Sequence, residues 1–418
     1  MLRVAVKLFV MWFGLPAALD AQPSQIQPGS EIRVFLDCRD DCFQDFMREE
    51  IEFVEYVRDP READVHVIVT TSTTGAGGRE RAVAFIGNGR FAGIEHQLRA
   101  TTEAGDSEDQ QRRMLVSAIT IGLLNYQAAG GVGRDLSVDV RVGDAGAKPA
   151  PADDPWNNWV MSLRGSTSLQ GEETSRETQW TAQLGADRIT DLWKITVGAE
   201  FDYSREDFDL DEDEPLRATR DERELDSLVV RSIDDHWSFG TMGQFESSTF
   251  NNLDGQVYLA PAIEFNFFPY SAYTRRQLRM NYSVGPYRAW YNEETLFGRF
   301  EDTLGRHEAS VTLDQREPWG SLEVRFEASS FLPGLDRHRL DLESDVSIRL
   351  ARGLSFNVEG SASRLRDQLS LPKRDATDEE VLLRLRQLQS GYEYELQVGL
   401  TYTFGSIFNT IVNPRFGQ

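Results

Sequence analysis

The chain has 418 residues and a net charge of −24 at neutral pH, which gives room for two or three domains and the wrong sign for gripping nucleic-acid phosphates. Its mean hydropathy is −0.44, and past the N-terminus no apolar run reaches the length of a membrane helix. A barrel stays open, because only alternate residues of each barrel strand meet lipid.

Residues 1–21 read as a secretory signal: Arg3 and Lys7 give a basic start, 8–15 an apolar core, and Ala17, Ala18 and Ala21 small residues near a cut placed after Ala21. No cysteine stands at that cut, which argues against a lipoprotein. Residues 22–30 are a polar, proline-bearing linker. A small α/β domain follows over 31–127. Its expected strands are 32–36, 53–57, 63–71, 81–86 and 91–100, the last two parted by a Gly-Asn-Gly turn. Phe43, Phe46, Met47 and Ile51 recur at helical spacing, and 107–126 forms a second helix with one broad apolar face. Cys38 and Cys42 are the only cysteines. In an oxidising compartment two such neighbours pair as a disulfide, whereas a zinc site would need two further ligands. No cofactor is expected.

Residues 128–155 are a Gly-, Ala-, Asp- and Pro-rich linker, interrupted by the alternating stretch 136–142. After Trp156 strands come one after another: 159–169, 178–188, 193–203, 224–232, 237–247, 256–268, 276–290, 306–315, 321–331, 338–350, 354–364 and 389–404. In the last of these Tyr392, Tyr394, Leu396, Val398, Leu400, Tyr402 and Phe404 share one face, and Glu393, Glu395, Gln397, Gly399, Thr401 and Thr403 the other. Connections alternate short and long, with long ones at 206–223, 291–305 and 367–388. The fold class is therefore a membrane all-β protein: an antiparallel barrel of about twelve strands over 156–404, preceded by a small periplasmic α/β domain. The apolar tail 405–418 is expected to stay in the periplasm, packed under the barrel mouth or against that domain.

The closing strand, with Tyr402 and Phe404 as its aromatic ending, resembles the last strand of Gram-negative outer-membrane barrels, whose ending is read by the barrel-insertion machinery. It departs from that pattern in that 405–418 follow. The barrel is also loosely similar to the salt-stress-induced outer-membrane barrel proteins, a likeness that carries no catalytic residues across. The N-terminal order resembles the amino-terminal domain of the Tol–Pal translocation protein and its relative in curli secretion channels. The matching pieces are Arg33 to Leu36, Ala63-Asp64 with Val65 to Val69, and Ser107 to Tyr126. These likenesses imply an outer-membrane location, contact with lipid and lipopolysaccharide, and a periplasmic protein or peptidoglycan as partner.

Alternation places Lys194, Glu200, Asp202, Glu264, Arg279, Glu323, Arg325, Glu327, Asp341, Glu343, Asp345, Arg349, Glu359, Glu393 and Glu395 on the lumenal face. Neighbouring strands offer opposite signs, so ion pairs are expected to cross-link the interior; because acid outnumbers base, any pore would favour cations. None of His66, His96, His236, His307 and His338 falls in a recognisable Ser/His pattern, although His307 with Glu301 and Asp302, or His338 with Asp336, could form a rim site. The acidic run 207–214 lacks the glycine turn and final glutamate of a calcium loop, leaving a solvated loop or loose divalent-cation binding beside lipopolysaccharide phosphates. The leading reading is a non-enzymatic barrel that anchors a periplasmic interaction domain. A small cation-preferring channel or transporter and a surface hydrolase are the alternatives.

Overall fold

The computed structural model describes residues 31–38, 42–130, 154–208, 216–374, 377 and 387–404. The expected signal sequence, the linker stretch 136–142 and the tail 405–418 lie outside them.

The N-terminal domain runs β1 (Ile32–Cys38), α1 (Gln44–Glu50), β2 (Val54–Tyr56), β3 (Val65–Thr73), β4 (Arg79–Gly87), β5 (Glu95–Thr102) and α2 (Glu108–Ala129). The sheet order is β2-β1-β3-β4-β5, parallel where β1 meets β2 and β3 and antiparallel beyond. A capping box starts α2: Ser107 Oγ accepts from Gln110 N, and Gln110 Oε1 accepts from Ser107 N. Both helices cover one sheet face, and Val34, Val65, Val67, Val83, Phe85, Met47, Leu115, Ile119 and Leu123 fill the space between. Gly122 is required where α2 crosses β4, since a Cβ there would lie 2.0 Å from the Phe85 ring. Cys38 and Cys42 are disulfide-bonded, as their spacing suggested.

Two expectations shift here. The pattern of 91–100 predicts a strand that begins at Phe91. That residue sits instead in a 3-10 turn, Gly89–Phe91, with its ring buried in the core, and β5 begins only at Glu95. Helix α2 runs on to Ala129, past the expected domain limit at 127.

The second region is a twelve-stranded antiparallel sheet of the expected barrel kind, in simple up-and-down order. Its strands are β6 (Trp159–Gly171), β7 (Ser175–Ile189), β8 (Trp193–Phe208), β9 (Leu216–Ser232), β10 (Trp237–Ser248), β11 (Leu253–Asn266), β12 (Arg276–Tyr291), β13 (Glu301–Glu317), β14 (Gly320–Leu332), β15 (His338–Ala351), β16 (Leu354–Leu365) and β17 (Tyr392–Tyr402). Each pairs with its sequence neighbours, so β6 and β17 have one partner each among the described residues. Every strand reaches the span that a tilted strand needs to cross a bilayer.

The strands outrun the apolar alternation. Most of 206–223, expected as a long loop, is ladder: β8 reaches Phe208 and β9 starts at Leu216. The polar extension is held by side chains, with Asp207 accepting from both Arg205 and Arg217 at 2.8 Å. Likewise β13 begins at Glu301, not 306. Ladder hydrogen bonding needs no apolar side chain, so alternation marks the greasy middle of a strand and misses its polar end.

Candidate functional site

Pairing register assigns the two sheet faces. One row runs Arg279–Thr312–Arg325–Glu343–Ser361–Glu395 across β12 to β17, and the next runs Asp314–Glu323–Asp345–Glu359–Gln397. This is the inner, concave face. It encloses a cavity of about 500 Å³ lined by Arg279, Glu323, Arg325, Glu343, Asp345, Glu359 and Glu395, seven of the residues assigned to the lumen from alternation. Glu327 is beside it, bonded to Arg325 at 2.7 Å. Asp341 accepts from Arg339 and from Ser363, and Glu393 stands opposite Ser363. Glu200, Asp202 and Glu264 share the inner face but lie elsewhere on it: Glu200 accepts from Gln183, Asp202 from Thr181 and Glu264 from Tyr270. Lys194, opposite Val230, is at the short-turn end of β8.

Opposite signs do meet across strands, as where Arg325 stands opposite Glu343. The recorded pairs on this face run mainly along single strands, at i and i+2: Arg325–Glu327, Arg339–Asp341, Arg306–Glu308 and Asp314–Arg316. Across strands, acid often faces acid. Glu323 is opposite Asp345 and Asp345 opposite Glu359, while Glu200 is opposite Glu224 and Glu224 opposite Glu246. Glu222 stands opposite Asp202. Sequence reasoning missed Glu222, Glu224, Asp226 and Glu246, because Leu228 and Val230 also point inward and blur the alternation of β9. Like charges directly opposite repel, and acid outnumbers base along the cavity wall.

Arg349 departs furthest from its expected place. It leaves the lumen at the short-turn mouth, where its guanidinium donates to Asp37 of the N-terminal domain at 2.8 Å and to Pro318 O at 3.0 Å, and lies over the Phe35 ring. His66, fully buried, holds the same carboxylate, with Nε2 2.9 Å from Asp37 Oδ2. Burial opposes the Asp37 charge, but the His66 hydrogen bond and the Arg349 charge outweigh it and hold its pKa below the ordinary aspartate value. Other contacts join the domain to the same end of the sheet. Gly353 N, in a turn where its φ is +68°, donates to Asp59 at 2.8 Å. Glu62 pairs with Arg352, Gln97 bonds Thr274, and Tyr273 donates to Glu80.

At the opposite end the chain after β16 folds back over the inner face. Leu369 packs among Tyr258, Tyr287 and Tyr291. Asn252, whose backbone is left-handed, donates to Ser370 O at 2.7 Å and Glu293 O at 3.1 Å and accepts from Glu293 N. Leu296 N donates to Leu371 O, and Lys373 pairs with Glu294.

The outer face is apolar. Leu163, Leu184, Phe239, Leu259, Ile263, Met280, Phe326, Leu342, Leu396, Val398 and Leu400 are all exposed there. Trp159, Trp193 and Trp237 open β6, β8 and β10 at the short-turn end, while Trp180, Tyr203 and Trp290 stand toward the other. Tyr402 and Phe404 stack at 5.5 Å at the close of β17.

Among the described residues, the hydrogen bonds of the histidine candidates go elsewhere than to their proposed acidic partners. His307 faces outward beside Tyr282, while Asp302 faces inward, bound to Tyr291 and Arg299. His338 Nδ1 bonds Leu335 O, His236 Nδ1 bonds Asn266 O, and His96 stacks on Phe85. Of the acidic run 207–214, Asp207 and Phe208 are described; the remainder lies outside the described residues.

No family model and no curated relative matches the chain. Among solved structures, one to which it bears a likeness is the translocator domain of autotransporter NalP from Neisseria meningitidis, at 12% identity and a TM-score of 0.27, covering 59% of this chain and 88% of that one. At that score neither residues nor function carry across.

Proposed function

We propose that the chain is a non-enzymatic outer-membrane barrel that holds its α/β domain on the periplasmic mouth. The carrying observation is the outer face: a continuous exposed apolar band with aromatics toward both ends, far larger than the patches soluble monomers leave open. In hydrocarbon an unpaired strand edge is untenable, so β6 and β17 pair with one another in the bilayer. The short turns, the start of β6 and the end of β17 share one end, where the domain docks. That end faces the periplasm, and the proposed partners are outer-membrane lipid and lipopolysaccharide, the insertion machinery, and a periplasmic protein or peptidoglycan. Single cysteines test the topology, since both native ones are bonded. Asp336→Cys should react with an impermeant thiol reagent on intact cells, and Asp234→Cys only after permeabilisation. Reaction at 234 on intact cells would overturn the reading.

A further inference from the structure

Resting on that topology, we propose that the α/β domain is a releasable cap over the acid-lined chamber, latched by the Asp37–Arg349 pair. The five-stranded sheet has helices on one face alone. The other face carries Phe35, Asp37, His66, Ile68, Ala84 and Gln97 by register. On it Ile68 and Ala84 are buried although no helix of the domain covers that side. Residues at both flanks touch the barrel: Asp37 on β1 meets Arg349, and Gln97 on β5 meets Thr274. Ile189, the last residue of β7 beside the β7–β8 turn, approaches Gly75. The turns touched are β7–β8, β11–β12 and β15–β16, every second turn around the ring, so the bare sheet face lies across the mouth.

The contacts are of a kind that comes apart. Most are hydrogen bonds and part-exposed ion pairs, such as Arg352–Glu62 with the Arg352 side chain 62% exposed, and such pairs add little each. Domain interfaces of this polar type permit relative motion. One contact differs. Asp37 is tied on its own side to the fully buried His66 and sits next to the Cys38–Cys42 bond, so its carboxylate is held in place to receive Arg349. Arg349 in turn is fixed by Pro318 O and the Phe35 ring. With side-chain exposures of 24% and 23%, each charge is mostly shielded, and removing one partner leaves the other partly desolvated without its counter-charge. Behind the latch, Asp345 and Glu359 line the cavity, so a cationic reagent reads its accessibility.

The test uses the full chain in lipid vesicles. Spin labels at Ile121→Cys, on the exposed side of α2, and at Leu335→Cys, at the far end of the barrel, read the domain–barrel distance. The wild type should give one narrow distance, Arg349→Asp a broad distribution, and the double variant Asp37→Arg with Arg349→Asp a narrow one again. A cationic thiol reagent should modify Ser361→Cys, on the cavity wall, about ten-fold faster in Arg349→Asp than in wild type, less than loss of a fully buried pair would give. Arg349→Gln should act in the same direction. Unchanged distances and rates in both single variants overturn the latch, as does a double variant that inserts but stays broad. Broad distances without faster modification overturn the cap. Failure of wild type to insert into vesicles would instead count against the membrane reading.

Discussion

The two regions bury apolar side chains in opposite directions. In the α/β domain the greasy residues point inward: Val34, Val67, Phe85 and Leu123 are at or near zero exposure. In the sheet they point outward, and the inward side is charged. Phe326 and Leu342, opposite one another on β14 and β15, are each more than two-fifths exposed. The same amino-acid types thus serve two solvents. The domain carries its own apolar phase, whereas the sheet relies on one supplied from outside.

Substitutions should separate the two regimes. The largest loss belongs to the closed core. Phe85→Ala leaves a cavity between β4 and α2 that cannot refill and should destabilise the domain by about 3–5 kcal/mol, read by denaturant unfolding. Val398→Arg on the outer face comes next. It should lower barrel stability in bilayers by about 2–4 kcal/mol, and Gln397→Arg far less, because one residue along a strand reverses the face. Equal losses at the two positions, measured by folding titrations into vesicles, would remove the distinction between the faces. Phe326→Ala should cost about 1–3 kcal/mol, since lipid flows into the space vacated. A loss as large as that of Phe85→Ala would mean Phe326 packs against protein. Reduction of Cys38–Cys42 should cost about 2 kcal/mol or less, because the closed loop is short; calorimetry of reduced and oxidised protein measures it.

The contact between the regions has its own pH signature. The Asp37 carboxyl titrates below its ordinary value in the docked state. Its contribution is therefore complete above the ordinary aspartate pKa and is lost as pH falls through the depressed one. Docking should hold from neutral pH down to mildly acid conditions and weaken in stronger acid, with Asp37→Asn removing that part of the dependence. The label pair at 121 and 335 follows it.

All twelve strands were legible from alternation, because a sheet with one greasy and one polar face writes its period into the chain. Where they ended was not. The extensions 204–208 and 216–223 are mostly polar in sequence, and what makes them strand is the ladder and the Arg205–Asp207–Arg217 cluster. The inner face was legible along the middle of β14 to β17, where the inward residues of 323–329, 339–349, 355–363 and 393–397 are polar, and obscured on β9, where Leu228 and Val230 turn inward beside Glu224. Phe91 read as a strand residue because it is large and buried, a property that a core-facing turn shares. The partner of Arg349 lies 312 positions away in the chain. No local pattern records such a pair, so alternation left Arg349 in the lumen when it serves the mouth.

The membrane topology, the docking end and the two-solvent contrast all require that the outer face be the lipid face. A tryptophan placed at 398 and then at 397, in protein inserted into vesicles containing brominated lipid, tests this directly. Strong quenching at 398 with weak quenching at 397 is the predicted result. Equal quenching at both positions, or none at either, would contradict the assignment of the two faces.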